Sequence, residues 1–308
     1  MSSLVDMSVS LGSLQLRTPV LTASGTFASG REFAPFVDLS RLGAVVTKGV
    51  SPEPWAGNES PRIAETASGM LNSIGLQNPG VDAFIAKDLA WLRDNAPSTP
   101  VMVNVSGHTV DEYVAVIGAL EDQSSVAAYE VNISCPNVDL GGMAFGTDCV
   151  SAAGVTSACR AATNRPLVVK LSPNVTDVAS IARAVEDAGA DGVSLINTIL
   201  GMAIDARTRR PKLARVVGGL SGPAIKPVAL RMVWQVASAV SIPVIGMGGI
   251  RSGEDAAEFI LAGASAVAVG TASFVDPSAA IRVLDSLDSY CRSQGVTRVA
   301  DLVGALEL

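Results

Sequence analysis

Short runs of consecutive apolar residues recur along the chain, each ending in a polar or glycine-rich corner. They occupy residues 19–25 (PVLTASG), 44–49 (AVVTKG), 100–107 (PVMVNVSG), 126–134 (VAAYEVNIS), 166–173 (PLVVKLSP), 191–198 (DGVSLINT), 242–249 (IPVIGMGG) and 264–272 (ASAVAVGTA). Unbroken apolar runs, rather than alternating ones, mark strands covered on both faces, as in parallel sheets. Between them lie longer stretches with the spacing of amphipathic helices. These are REFAPFVDLSRLG (31–43), TVDEYVAVIGALED (109–122), TDCVSAAGVTSACRAAT (147–163), VTDVASIARAVEDAG (175–189), PAIKPVALRMVWQVASAV (223–240) and SGEDAAEFILAG (252–263). Strand–helix alternation predicts an α/β fold, and about eight strands favour a TIM (β/α)8 barrel over an open doubly wound sheet.

Two connections are too long to be simple corners, residues 50–80 and 198–222. Loops beyond about 12–15 residues are usually functional in compact domains. Both follow strand ends, so they are expected as long inserted loops on the C-terminal face, where barrels carry their sites. No linker or shift in composition divides the chain, and residues 1–308 are expected to form a single domain.

Composition removes several function classes. Hydrophobic residues make up 48%, enough for a large core, and charged residues 17%. A net charge of −7 without clustered Lys and Arg argues against a nucleic-acid surface. No apolar run approaches the roughly 20 residues of a membrane helix. The opening MSSLVDMSVSLGSLQLRTP lacks the basic-then-apolar pattern of a signal peptide. The expectation is a soluble cytoplasmic protein with neither a nucleic-acid nor a membrane partner. The cysteines Cys135, Cys149, Cys159 and Cys291 show no CxxC and no finger spacing, so no metal site or disulfide framework is expected.

The strand ends carry the candidate chemistry. In barrels a phosphate is usually held after the last two strands, and here those strands end in GMGGI (246–250) and VGTA (269–272). Glycines let the backbone approach an anion, and each corner is expected to open a helix whose first amides face it. Tight turns alone would explain either corner; the two together point to a phosphorylated ligand. GxGxxG is missing after the first strand, so a Rossmann nucleotide site is not supported. Ser24, Lys48, Asn104, Asn132, Lys170 and Asn197 end other strands and suit a polar heterocycle with several donors and acceptors. Lys170 would be costly to bury unpaired, and a cation beside an electron-accepting ring stabilises its reduced form. The run VNISCPNV (131–138) puts a cysteine where a strand stops, either as a half-buried thiol or as a catalytic one.

Several of these segments together resemble the dihydroorotate dehydrogenase family. They are ASGTF, AETASGMLNSIGLQNPG, NISCPNV, GGMAFGTD, VKLSPNVTD, INT, GGLSGPAIKPVAL, IGMGGI and AVAVGTA, in order and with barrel spacing over nearly the whole chain. The resemblance implies an FMN-dependent barrel that oxidises dihydroorotate to orotate in pyrimidine synthesis. It implies that Ser24, Lys48, Gly49, Asn104, Asn132, Lys170, Ile196, Gly222, Gly248, Gly249, Gly270 and Thr271 contact FMN. It places Lys48, Asn72, Ser73, Ile74, Gly75, Leu76, Asn132, Asn197 and Thr198 at the substrate.

The same resemblance makes Cys135 the general base, on a mobile loop between Ser134 and about Phe145. The thiolate would take a proton from the ring carbon beside the carbonyl, while hydride leaves the carbon bearing the carboxylate. A thiol with a reference pKa of about 8.5 does this once deprotonated near charge or dipole. Cys149, Cys159 and Cys291 lie in helix-like stretches and are expected to pack. His108, the one histidine, is a weaker candidate base. The family's quinone-using membrane branch has a serine base and an N-terminal extension, and neither is read here. NISCPNVDLGGMAFGTD resembles instead the NAD-linked branch, whose catalytic subunit works with an iron–sulphur flavoprotein carrying FAD and a 2Fe–2S cluster, around a homodimer core in a heterotetramer.

Alternatives are the fumarate-using homodimeric branch, or a flavin barrel acting on another dihydropyrimidine. A dihydrouridine synthase-like enzyme would need a basic RNA surface. A flavin-free lyase using Lys170 as a Schiff base and a non-enzymatic barrel complete the set.

Overall fold

A computed structural model describes residues 5–134 and 145–307. Eight parallel strands form one sheet: β1 (Val20–Thr22), β2 (Val45–Val46), β3 (Val101–Val105), β4 (Val126–Asn132), β5 (Leu167–Lys170), β6 (Gly192–Leu195), β7 (Val244–Met247) and β8 (Ala266–Val269). Each lies within one of the apolar runs. The pairing order is β1-β8-β7-β6-β5-β4-β3-β2, which leaves β1 and β2 at the two ends. These meet across a seam. The Gly43 N–H donates to the Val20 carbonyl at 2.9 Å, and the Val46 N–H donates to Thr22 Oγ1 at 3.0 Å. The expected TIM-type barrel is therefore present, closed at its shortest strand by a threonine side chain.

The helices are α1 (Val110–Leu120), α2 (Cys149–Ala162), α3 (Val178–Asp187), α4 (Lys226–Ala237), α5 (Gly253–Leu261) and α6 (Ala279–Ser293). Side-chain caps set their starts: Thr109 accepts from the Glu112 N–H, Asp148 from Ser151, Asp177 from Ser180, and Ser252 from Asp255. Their buried faces, such as Val116, Ile117 and Leu120 of α1 and Ile181, Ala182 and Val185 of α3, cover the outside of the strands. That double cover is why the strands read as continuous apolar runs.

The stretch 31–43 departs from expectation. It forms turns and a single 3-10 turn at Leu39–Arg41. Pro35 lacks the N–H that a helix interior needs, and Phe33 stacks on Phe27 with ring centroids 4.2 Å apart. Further helical segments, among them residues 81–95, Ala272–Val275 and α6, lie outside the stretches whose spacing predicts a helix.

The two long connections are not loops in the main. They contribute Ile63–Thr66, Gly69–Asn72, Ile199–Met202 and Val217–Ser221 to one antiparallel four-stranded sheet. The joint between the two connections pairs Leu71 with Leu220 and Met70 with Ser221. Gly69 permits it, because a Cβ there would sit 2.0 Å from the Ser221 carbonyl oxygen. Two segments about 150 residues apart thus lock together above the barrel. An N-terminal hairpin, Val9–Leu11 with Leu14–Leu16, buries Val9, Leu11 and Leu16 in the same core as the barrel.

Candidate active site

Strand register assembles a polar cluster inside the barrel. Asn104 of β3 pairs with Glu130 of β4, Asn132 of β4 with Lys170 of β5, and Lys170 with Ser194 of β6. Pairs in register on parallel strands present the same face, so these side chains meet. The Asn104 Nδ2 donates to Glu130 Oε2 at 2.6 Å and the Ser194 hydroxyl to Glu130 Oε1 at 2.7 Å. Lys170 Nζ donates to Ser24 Oγ at 2.9 Å and stands 3.9 Å from Glu130 Oε2. Asn132 Nδ2 donates to Asn104 Oδ1 at 3.4 Å, and Ser134 Oγ to Asn132 Oδ1 at 2.7 Å. Asn197 closes the chain of bonds by donating to Ser134 Oγ at 2.8 Å. The buried Tyr113 holds the strand end by donating to the Asn132 carbonyl at 2.8 Å.

Above this cluster opens a cavity of about 1120 Å³, near the upper end for cofactor sites. Its wall includes Ser24, Lys48, Gly49, Asn104, Asn132, Lys170, Ile196, Gly222, Gly248, Gly249, Gly270 and Thr271, every residue expected at the cofactor. Asn72, Ile74, Gly75, Leu76, Asn197 and Thr198 line it too. Ser73 does not. It is fully buried, its N–H donates to the Arg62 carbonyl, and its carbonyl accepts from Asn58 Nδ2. Cys135 lies outside the described residues, as does most of the loop that follows it. Ser134 on its N-terminal side is buried in the hydrogen-bond chain.

Lys48 follows β2 half-buried, and among the described residues its ammonium makes no hydrogen bond or close ion pair, Glu32 acting on it only through its charge. Burial, and then Arg62, lower its pKa. A cation left like this is a place for an anion. At the other wall the backbone N–H groups of Gly222, Gly249, Ile250 and Thr271 find no acceptor among the described residues. All four residues line the cavity. Free N–H groups gathered in one corner fit a phosphate.

The helix that follows this corner does not help in the way expected. In α5 a capping box joins Ser252 and Asp255, and the Asp255 carboxylate accepts from the Arg251 and Ser252 N–H groups. Those amides are satisfied within the chain, with a carboxylate beside them. The glycine at 249 is needed by the chain as well as by any anion. Its φ is +78°, and a Cβ would stand 2.8 Å from Lys226 Cβ.

The substrate segment 72–76 is shaped by a residue that was not singled out. Asn78 is buried and accepts from Ser51 N–H, Ser51 Oγ and Gly80 N–H, while its amide donates to the Leu76 carbonyl at 2.9 Å. This holds Gly75 and Leu76 at φ +74° and +51°. Glu130 was also missed, although an acidic residue two before Asn132 in an apolar strand marked the inward face. Arg62, a further lining residue, donates to Gln77 Oε1 at 2.7 Å.

His108 is exposed, stacks on Trp55 with centroids 4.1 Å apart, and does not line the cavity. Lys170 is tethered at Ser24 and Glu130, which does not suit a free amine nucleophile. Cys159 and Cys291 pack in the core, and burial pushes the Cys159 thiol up to about 12. Cys149 departs from the packing expectation: it is exposed at the first turn of α2. Among the described residues, no helix is long and apolar enough to cross a membrane.

Residues 6–290 match the family model described as dihydroorotate dehydrogenase. The chain is similar to the dihydroorotate dehydrogenase B (NAD(+)) catalytic subunit of Pelobacter propionicus, 60% identical over 302 residues, which cover 98% of this chain and 99% of that protein. It is 57% identical to the subunits of the same name from Alkaliphilus metalliredigens and Geobacter metallireducens, over 98% of this chain and 99% of each relative.

Proposed function

The chain belongs to the dihydroorotate dehydrogenase family, and from that premise we propose that it is the FMN-containing catalytic subunit of an NAD-linked dihydroorotate dehydrogenase. The observation that carries this reading is that one cavity offers two separate anion sites. N–H groups of Gly222, Gly249, Ile250 and Thr271 that find no acceptor among the described residues suit the FMN phosphate, and the Lys48 ammonium, without a hydrogen bond there, suits a carboxylate or a reduced ring. When bound, FMN supplies the hydride acceptor.

The chain's own residues do the rest. The amides of Asn72, Asn132 and Asn197, with the backbone of residues 74–76, orient the dihydropyrimidine ring. Lys48 holds its anionic edge. Cys135, as thiolate, takes the proton from the carbon beside the carbonyl as hydride leaves the carbon that bears the carboxylate. Lys170, tethered at Ser24, would offer the isoalloxazine a cationic hydrogen-bond donor.

Electrons must then leave. The chain carries no dinucleotide fingerprint and no cluster-binding cysteine spacing. In this proposal an iron–sulphur flavoprotein subunit with FAD and a 2Fe–2S centre passes them to NAD, on a homodimer core of this chain, in the cytoplasm. The words "catalytic subunit" in the relatives' name support a partner. Exposed Leu200, Met202 and Val217 on the antiparallel sheet give an apolar face for association.

The test is direct. Purified protein should be yellow, and anaerobic dihydroorotate should bleach it. Pure chain should reduce dyes but hardly NAD, and the co-purified flavoprotein should restore NAD reduction. Flavin at about 100 times its dissociation constant should add about 2.7 kcal/mol of stability. A colourless protein with no thermal response to FMN would sink the reading; brisk fumarate turnover by the pure chain would move it to the homodimeric branch.

A further inference from the structure

Among the described residues, Glu130 and Lys170 are the charged side chains buried within the barrel, with 1% and 4% of their surfaces exposed. Lys170 lines the cavity and Glu130 does not. Two hydrogen bonds and one ion pair converge on the Glu130 carboxylate: Asn104 Nδ2 at 2.6 Å, Ser194 Oγ at 2.7 Å, and the Lys170 ammonium, bonded to Ser24 Oγ, at 3.9 Å. Asn104 Nδ2 is a donor only, and its contact fixes Oε2 as an acceptor that faces the Lys170 ammonium. Such a pair is not what a fold needs for stability, since apolar residues of similar volume often serve as well or better. Its value has to be sought at the cavity floor. There Glu130 fixes the Asn104 side chain by a hydrogen bond, draws the Lys170 ammonium by its charge, and places a negative charge behind the positive one.

We propose that Glu130 is a positioning residue for Lys170, holding the ammonium in place and offsetting its charge, so that it lowers the reduction potential of flavin bound in the cavity. This rests on the reading that the cavity holds FMN. With Glu130 in place, the floor meets the ring as a tethered hydrogen-bond donor backed by a counter-charge. Without it, a bare buried cation would face the ring and favour its more negative, reduced form. The effect runs through Lys170, so it must vanish when the lysine's charge is removed.

The experiment measures the midpoint potential of the bound flavin by anaerobic dye equilibration in four holoproteins: wild type, Glu130→Gln, Lys170→Met and the double variant. Glu130→Gln keeps the shape and removes the charge. It should favour reduced flavin by about tenfold, a rise of about 30 mV for a two-electron couple. In the Lys170→Met background the same change should shift the ratio by less than about threefold, the signature of a pairwise coupling. Glu130→Asp keeps the charge and should stay closer to wild type than Glu130→Gln does.

An unmoved or lowered potential in Glu130→Gln overturns the proposal, and so does an equal shift in the Lys170→Met background. If Glu130→Gln alone does not fold, the double variant should fold, because no uncompensated charge remains; a double variant no more stable than the single one overturns the pairing. Wild-type protein that takes up no FMN overturns the cavity reading and this proposal with it. Yellow protein with an unmoved potential overturns this proposal alone.

Discussion

At the N-terminal end of the barrel, Arg165 donates to the carbonyls of Glu121, Gln123 and Val126. Arg160 bonds Asp191 at 2.6 Å and the Thr163 and Arg165 carbonyls, and Glu121 accepts from Thr163 and Tyr129. At the C-terminal end, among the described residues, Lys48 makes no hydrogen bond or close ion pair and four backbone N–H groups find no acceptor around one cavity. Both ends are built from charged and polar residues at strand termini. One end spends its hydrogen-bonding capacity on itself and ties α1, α2 and the starts of β4, β5 and β6 together. The other keeps capacity in reserve, and reserve of that kind is what a ligand uses. Polar character at a strand end is therefore no guide to function until its satisfaction is known.

Substitutions should separate the ends cleanly, by activity above and by stability below. The largest effect is expected at Cys135. Cys135→Ala should keep its flavin and its melting temperature while slowing flavin reduction by dihydroorotate roughly 10²–10⁴-fold, the span of a general base. Unchanged single-turnover reduction would return that thiol to a packing role.

Next is Lys48→Met. Loss of a charged hydrogen bond to ligand should cost about 1.5–3 kcal/mol, read as a 10–100-fold rise in KM for dihydroorotate or in the Kd for FMN. The flavin-free protein should be no less stable, because burial of the ammonium and the nearby Arg62 outweigh the favourable charge of Glu32. A clear loss of stability would mean that Lys48 belongs to the fold, and the contrast would fail there.

Arg165→Met tests the other end. It removes the guanidinium donor of the Glu121, Gln123 and Val126 carbonyls, of which Gln123 keeps the Val126 N–H, and should cost about 2 kcal/mol in urea denaturation, with flavin reduction kinetics unchanged. Kinetics that fall while stability holds would break the comparison outright.

The smallest effect is a pH signature. Burial, then the bond to Glu121, raises the Tyr129 phenol above its ordinary value. The folded state keeps this proton after the unfolded chain has lost it, near pH 10. The stability it contributes is thus complete below about pH 10 and is lost as pH rises through the folded value. Tyr129→Phe should cost about 1 kcal/mol at neutral pH and flatten the alkaline fall in stability. Lys48 has the opposite sign: burial lowers its folded value, so the unfolded chain binds the proton better and folding gains as pH rises towards 10. Alkaline melts of Tyr129→Phe and Lys48→Met should therefore diverge in opposite directions from wild type.

The sequence by itself determined the eight strands, because residues such as Val103, Val131, Val169 and Val193 must be covered on both faces, and that need is written as unbroken apolar runs. It determined most of the helix starts, since Thr109, Asp148, Asp177 and Ser252 cap the amides that follow them locally. It also marked the polar strand ends of the cavity wall, Ser24, Lys48, Asn104, Asn132, Lys170 and Asn197, because a polar residue ending an apolar strand is visible without any partner. What only the tertiary structure decided depends on distance between residues far apart in the chain. The Glu130–Lys170 pair rests on the register of adjoining strands, and a charge inside a run does not announce its partner. The sheet joining residues 69–72 to 217–221 was hidden by glycines that look like loop residues until Gly69 is seen against the Ser221 carbonyl. The helix expected over 31–43 gave way to turns, and Ser73 turned from the cavity, because packing outvotes local pattern. Which end of the barrel is satisfied and which is open is likewise absent from composition, since satisfaction belongs to pairs of groups and not to residues.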